Sequence, residues 1–141
     1  MAPWAFQLAQ IGYRVLAVDL RGHGHSTWNR IGFGKFETVD LSQMLDALRD
    51  RGLCDEQVGV LGVSYGGTLA LHWAAREPRI KVVVAISPYD DPEVAFERFA
   101  KMASLPFSRR FIRGAASSAA SRLDIEWTDW SGAAAIRRLP Q

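Results

Sequence analysis

One cysteine, Cys54, stands among 141 residues, so no disulfide can form within the chain. A reducing, cytoplasmic setting is the expectation. No run approaches the ~18 uninterrupted apolar residues a membrane span needs, which excludes an integral membrane protein of the helical kind. Met1-Ala2-Pro3-Trp4 shows no basic flank ahead of an apolar run, so no secretory signal is expected. A net charge of +2 gives no ground for a nucleic-acid partner. With 48% apolar and 23% charged residues the composition is that of an ordinary globular chain, which excludes disorder and low-complexity architecture. The length points to one domain.

The charge is unevenly spread. Residues 1–97 carry 9 basic and 12 acidic side chains, and residues 98–141 carry 8 basic and 3 acidic. A basic final third suits steering of an acidic ligand, although a solvated helical surface accounts for it as well.

Helix-like and strand-like patterns alternate along the first 90 residues. Trp4, Leu8 and Ile11 recur at helical spacing and Gly12 follows as a stop. Tyr13 to Leu20 contains Val15-Leu16-Ala17-Val18 and reads as a buried strand, followed by a glycine-rich loop from Arg21 to Gly34. Phe36 to Arg51 reads as an amphipathic helix, with Leu41, Leu45 and Leu48 on one face and Gly52 after it. Val58 to Val63 reads as a second strand, Tyr65 to Glu77 as a helix stopped by Pro78, and Ile80 to Ile86 as a third strand. Apolar strands separated by helices imply an α/β fold whose parallel sheet is covered on both faces. After Pro88 only helical signals remain: Asp91-Pro92 opens one helix, Phe107 to Ser121 forms another, and Ser131 caps a short third one through Arg138. The expected division is an α/β core over residues 1–91 and a helical, cap-like region over 92–141.

The chemistry concentrates at Gly62-Val63-Ser64-Tyr65-Gly66, a G-x-S-x-G between a buried strand and a helix. Such a tight strand-to-helix turn demands small residues at 62, 66 and 67, forces Ser64 into a strained positive-φ conformation and exposes its hydroxyl above the sheet edge. It also sets the Tyr65 N–H at a helix N-terminus, where an oxyanion would form. The plain alternative is a turn that merely uses glycines.

With these residues the chain resembles the α/β-hydrolases. Val18-Asp19-Leu20-Arg21-Gly22-His23-Gly24-His25-Ser26 is similar to the loop after their fourth strand, and Gly62-Val63-Ser64-Tyr65-Gly66-Gly67 to the elbow after their fifth. Val84-Ala85-Ile86-Ser87-Pro88 resembles the end of their sixth strand. The resemblance implies a partial α/β-hydrolase fold acting on a small-molecule ester, thioester or amide through an acyl-enzyme, with Ser64 as nucleophile, Tyr65 as oxyanion donor and no cofactor. It also implies eight strands, with a histidine after the eighth and an acid after the seventh. Against that pattern the chain reads as the middle portion of a hydrolase and is expected to be inactive alone. The edges of an incomplete sheet invite self-association. The alternative is a non-catalytic interaction module; a third reading, a nucleotide-binding α/β domain, is weak because Thr27 stands where the dinucleotide fingerprint wants glycine.

The three histidines are weak substitutes for a missing base. His72 lies eight residues beyond Ser64 on one helix, about 12 Å along its axis, whereas a general base must come within ~3 Å. His23 and His25 belong to the loop after the fourth-strand segment, and come near Ser64 only if the sheet closes over the absent third strand. His23-x-His25 has no third ligand nearby, so no metal is expected. Some relatives by resemblance place the triad acid where Asp90 and Asp91 stand, although Asp91 suits a helix cap with Asp90 solvated beside it. Asp19 is expected to anchor its loop, Cys54 to pack, and Trp127 and Trp130 to be buried or to line a cap.

Overall fold

Residues 2–27, 30–54 and 57–139 are described by the computed structural model. They fall into two units, within residues 1–31 and 32–141.

In the first unit, α1 (Ala2–Gln10) ends as expected: the amides of Ile11, Gly12 and Tyr13 bond back to the carbonyls of Gln7, Ala9 and Leu8. The segment 13–20 is not a strand, which corrects the sequence reading. A strand is defined by a partner ladder, and the apolar run 15–18 pairs with none among the described residues; Leu16 and Val18 are 55% and 41% exposed. The loop beyond it is ordered by Asp19. Its carboxylate accepts the His25 amide at 3.0 Å and its carbonyl accepts the Ser26 hydroxyl at 2.6 Å, the anchoring role its position suggests.

The second unit begins at Gly32. Helix α2 (Glu37–Asp50) buries Leu41 and Leu45, and Gly52 beyond it takes φ +65°, the left-handed value that ends helices. Strands β1 (Val58–Val63) and β2 (Ile80–Ile86) run parallel, in register from Gly59 opposite Val82 to Val63 opposite Ile86. The crossover that parallel pairing requires is α3 (Tyr65–Ala74), shorter than the sequence suggested because the chain turns at residues 75–76 ahead of Pro78. The three expected strands are therefore two, with β1 and β2 paired as anticipated. Covering on both faces is not found either: Val82 and Val84 are exposed.

Helix α2 is held to the start of β2 by polar groups as well as by leucines. Glu77, 5% exposed, receives the Arg79 guanidinium at 2.7 Å on both oxygens and the Ser42 hydroxyl at 2.8 Å, and Ser42 in turn accepts the Trp73 indole N–H at 2.9 Å. Arg79 also reaches Asp46 at 2.6 Å. The rest of the unit is helical: α4 (Pro92–Met102), α5 (Arg109–Leu123), a 3₁₀ turn (Trp127–Trp130) and α6 (Gly132–Arg137). Asp91, Ser108 and Ser131 cap the three α-helices through their side chains.

Candidate active site

Ser64 lies between the last residue of β1 and the first of α3, with φ +52° and ψ −115°. A non-glycine residue there is strained and is held only where its surroundings over-determine it. They do so on both sides. The Ser64 amide donates to the Ile86 carbonyl of β2 at 2.9 Å, and its own carbonyl accepts the Thr68 amide at 3.1 Å. A Cβ at Gly62 would overlap the Gly66 carbonyl, and one at Gly67 would lie 3.2 Å from the Gly62 and Ile86 carbonyls. Gly66 is different: a Cβ there meets nothing within 4 Å, so the requirement for a small residue holds at 62 and 67 but not at 66. Tyr65 opens α3, so its N–H lies at that helix's N-terminal end beside Ser64.

Around the elbow stand residues that the sequence did not single out. Glu37 is 1% exposed, and its carboxylate accepts the amides of Gly32 and Gly34, the latter at 2.8 Å. That clip fixes Phe33 between them at φ +50°. The Phe33 ring meets Tyr65, Phe96 and Trp127 edge-on, at centroid distances of 6.1, 5.5 and 5.1 Å. The signal for the clip is a glutamate at the first position of a helix, following Gly-x-Gly; the partners of Phe33 are too distant in sequence to be read.

The loop after β2 joins the elbow helix to the C-terminal helices. The Thr68 hydroxyl and the Tyr89 backbone are paired, and the Gly132 amide donates to the same Tyr89 carbonyl at 3.1 Å. Burial and the Glu37 carboxylate push the Tyr89 phenol up to about 12. Asp90 is not merely solvated: its carboxylate accepts the Ala133 amide of α6 at 2.9 Å. One Asp91 oxygen accepts the amides of Glu93 and Val94, so that carboxylate serves as a helix cap.

His72 is 2% exposed on α3, its ring 4.7 Å from that of Trp130, and the Arg76 guanidinium lies over the Trp130 ring at 4.8 Å. Burial holds the imidazole below its ordinary value of 6.5; Arg76 and Arg138 add to this, and the backbone of Trp130 and Ser131 opposes it. A base so enclosed has no path to a substrate at Ser64. His23 and His25 lie in the first unit, where the His23 Nδ1 sits 3.0 Å from the Arg21 carbonyl. Cys54 packs, its thiol directed at the Leu45 carbonyl. Among the described residues no cluster of metal-ligating side chains is present, and no helix is long and apolar enough to cross a membrane.

A strand–serine–helix elbow between parallel strands defines a class, and the comparisons agree with it. The family model for the alpha/beta hydrolase fold matches residues 2–129, and the chain belongs to that family. It is 29% identical over 119 residues to an uncharacterized protein of Rickettsia prowazekii, covering 84% of this chain and 49% of that one. It is 29% identical over 113 residues to epoxide hydrolase 3 of Xenopus tropicalis, covering 77% and 30%. An esterase of Mycobacterium tuberculosis is 33% identical over 88 residues, covering 60% and 28%. The chain thus spans half or less of the length of these relatives.

Proposed function

We propose that this chain carries the nucleophile of a serine hydrolase acting on a small-molecule acyl compound: an ester, thioester or amide. The observation that carries the reading is the strained φ of Ser64 at the end of β1. Strain of this kind is retained where a side chain must be aimed, and here the side chain is a hydroxyl beside a helix N-terminus. The Ser64 Oγ attacks the acyl carbon and its proton passes to a base. The Tyr65 N–H supports the oxyanion, the leaving group departs protonated, and water releases the acid from the acyl-enzyme. The two named activities among the relatives separate on this chemistry. A serine opening an epoxide forms an ether with no carbonyl for water to attack, whereas a serine ester turns over. The esterase reading is therefore preferred. Residues 92–141 serve in this reading as a cap over the elbow, with Phe33, Phe96 and Trp127 as its apolar lining.

The second reading, a non-catalytic interaction module, is favoured by one observation: His72, the single histidine of the unit that carries Ser64, is enclosed. A fluorophosphonate probe separates the two. The first reading expects slow covalent labelling that accumulates on long incubation, because the adduct does not turn over, and that Ser64→Ala abolishes; equal labelling of both chains, or none after long incubation, supports the second.

A further inference from the structure

The connection between α4 and α5 combines exposed apolar side chains with neighbouring cations. Every residue from 101 to 111 is exposed, and among them are Met102 at 78%, Leu105, Phe107 and Phe111 at 59%. Phe99 is exposed one turn earlier, and Phe107 stacks on Phe111 with ring centroids 5.0 Å apart. Beside them a groove of about 360 Å³ is lined by Ala100, Leu105, Phe107 and Ile112 and by the charged Glu97, Arg98, Lys101 and Arg109. Beyond Glu97 the flanking charge is basic. From Arg98 to Leu123 there are six basic side chains and no acidic one. Glu97 engages Arg109 and Arg113 at 2.8 Å each, while Arg98, Lys101 and Arg110 have no acidic partner among the described residues. These cations sit on the two helices, and the connection 103–108 carries none.

The geometry points to a docking surface for an anionic lipid membrane, entered by the apolar connection while the helix cations meet lipid phosphates. Three observations favour a lipid surface over other acidic partners. The apolar side chains are phenylalanine, leucine and methionine, which dissolve in acyl chains but offer no hydrogen bond to a protein or a base. The backbone suits entry too: the amides of Ala103, Ser104 and Leu105 bond back into α4 and Pro106 has none, which lowers the cost of leaving water. The far end of α5 is held down, with Lys35 on the Leu123 and Asp124 carbonyls at 2.7 and 2.8 Å and the Trp127 indole on the Ala116 carbonyl at 3.2 Å, so the connection is carried by an anchored hairpin. Apolar tips flanked by lysine and arginine are the composition of peripheral membrane contacts.

Vesicle flotation tests this directly, because aggregated protein does not float. The chain should float with vesicles enriched in phosphatidylglycerol and not with phosphatidylcholine alone, and added salt should release it. A cation near an anionic surface is worth about fivefold in binding, so Lys101→Glu with Arg110→Glu should weaken flotation by about tenfold or more. Phe107→Ser with Phe111→Ser should do the same at unchanged charge. All four positions are exposed, so circular dichroism should stay unchanged. Equal flotation with neutral vesicles, insensitivity to either double variant, or tighter binding to a single-stranded oligonucleotide than to anionic vesicles would overturn the assignment.

Discussion

Thr68 and Tyr89 hold each other twice: the Thr68 hydroxyl donates to the Tyr89 carbonyl at 3.1 Å and accepts the Tyr89 amide at 3.0 Å. The pair ties the second turn of the elbow helix to the loop that leaves β2. Replacing the hydroxyl by a methyl keeps the shape and orphans the Tyr89 amide. Thr68→Val should therefore cost about 1–3 kcal/mol in chemical denaturation, and Thr68→Ser should recover most of it. Equal stability of the valine and serine variants would remove the pair from the account.

Gly62 and Gly66 flank the elbow two residues away on either side, and their tolerances should be opposite. A Cβ at 62 collides with the Gly66 backbone, which is fixed in a helix, so Gly62→Ala should lose about 2–3 kcal/mol or more. A Cβ at 66 meets open space inside the first turn of α3, so Gly66→Ala should be neutral or gain about 0.5–1 kcal/mol from helix propensity. Thermal unfolding of the two variants side by side decides it.

Stability should fall in two acid steps. His72 is held neutral in the fold below its ordinary value of 6.5, so below that pH the unfolded chain binds the extra proton and stability declines. His72→Leu should flatten this first step. Glu77 is held ionised down to about 2, chiefly by Arg79 and then Ser42, against an ordinary 4.5. Its contribution is complete above 4.5 and lost as pH drops toward 2, about 1–2 kcal/mol after solvent screening is allowed for. Glu77→Gln should remove the second step and leave the first. Denaturant midpoints measured from pH 8 to pH 3 would show whether the steps separate this way.

Hydrolysis of p-nitrophenyl acetate by this polypeptide should be slow. His72 is shut away, and a neutral hydroxyl is a weak nucleophile near pH 7. Removing the base or the nucleophile of a triad costs on the order of 10⁶ in turnover in a protease case, so the rate should fall far below a typical ~10 s⁻¹. Ser64→Ala should differ from the parent by less than about tenfold, since a triad acts as a unit and a missing base leaves little for the serine to contribute. A larger difference would mean that a base is present, with His23 and His25 the first residues to replace.

The elbow was legible because its requirements are local. Glycines 62 and 67, the apolar run before them and the helical pattern after them all lie within a dozen residues, and both strands of the sheet have the ends their patterns suggest. The helix caps at Asp91 and Ser131 were legible for the same reason. What failed was pairing. Val15-Leu16-Ala17-Val18 has strand composition, but a strand needs a neighbour, and composition does not supply one. Contacts across long stretches of sequence were hidden too: Asp90 on the Ala133 amide spans 43 residues, and Phe33 meets Trp127 from a loop that reads only as glycine-rich. Glu37 looked like one more charge on an amphipathic helix until its two amide partners placed it inside.

The positive φ of Ser64 also sets survival against service. Alanine at this position keeps the strained backbone and should leave the melting temperature nearly unchanged. Glycine is at home there, and Ser64→Gly should stabilise the fold by about 1 kcal/mol once its greater freedom in the unfolded chain is offset. A lineage released from the need for a hydroxyl would then drift toward glycine and gain robustness by doing so. A serine kept at that turn is a standing thermodynamic handicap, tolerated only while something is asked of its oxygen.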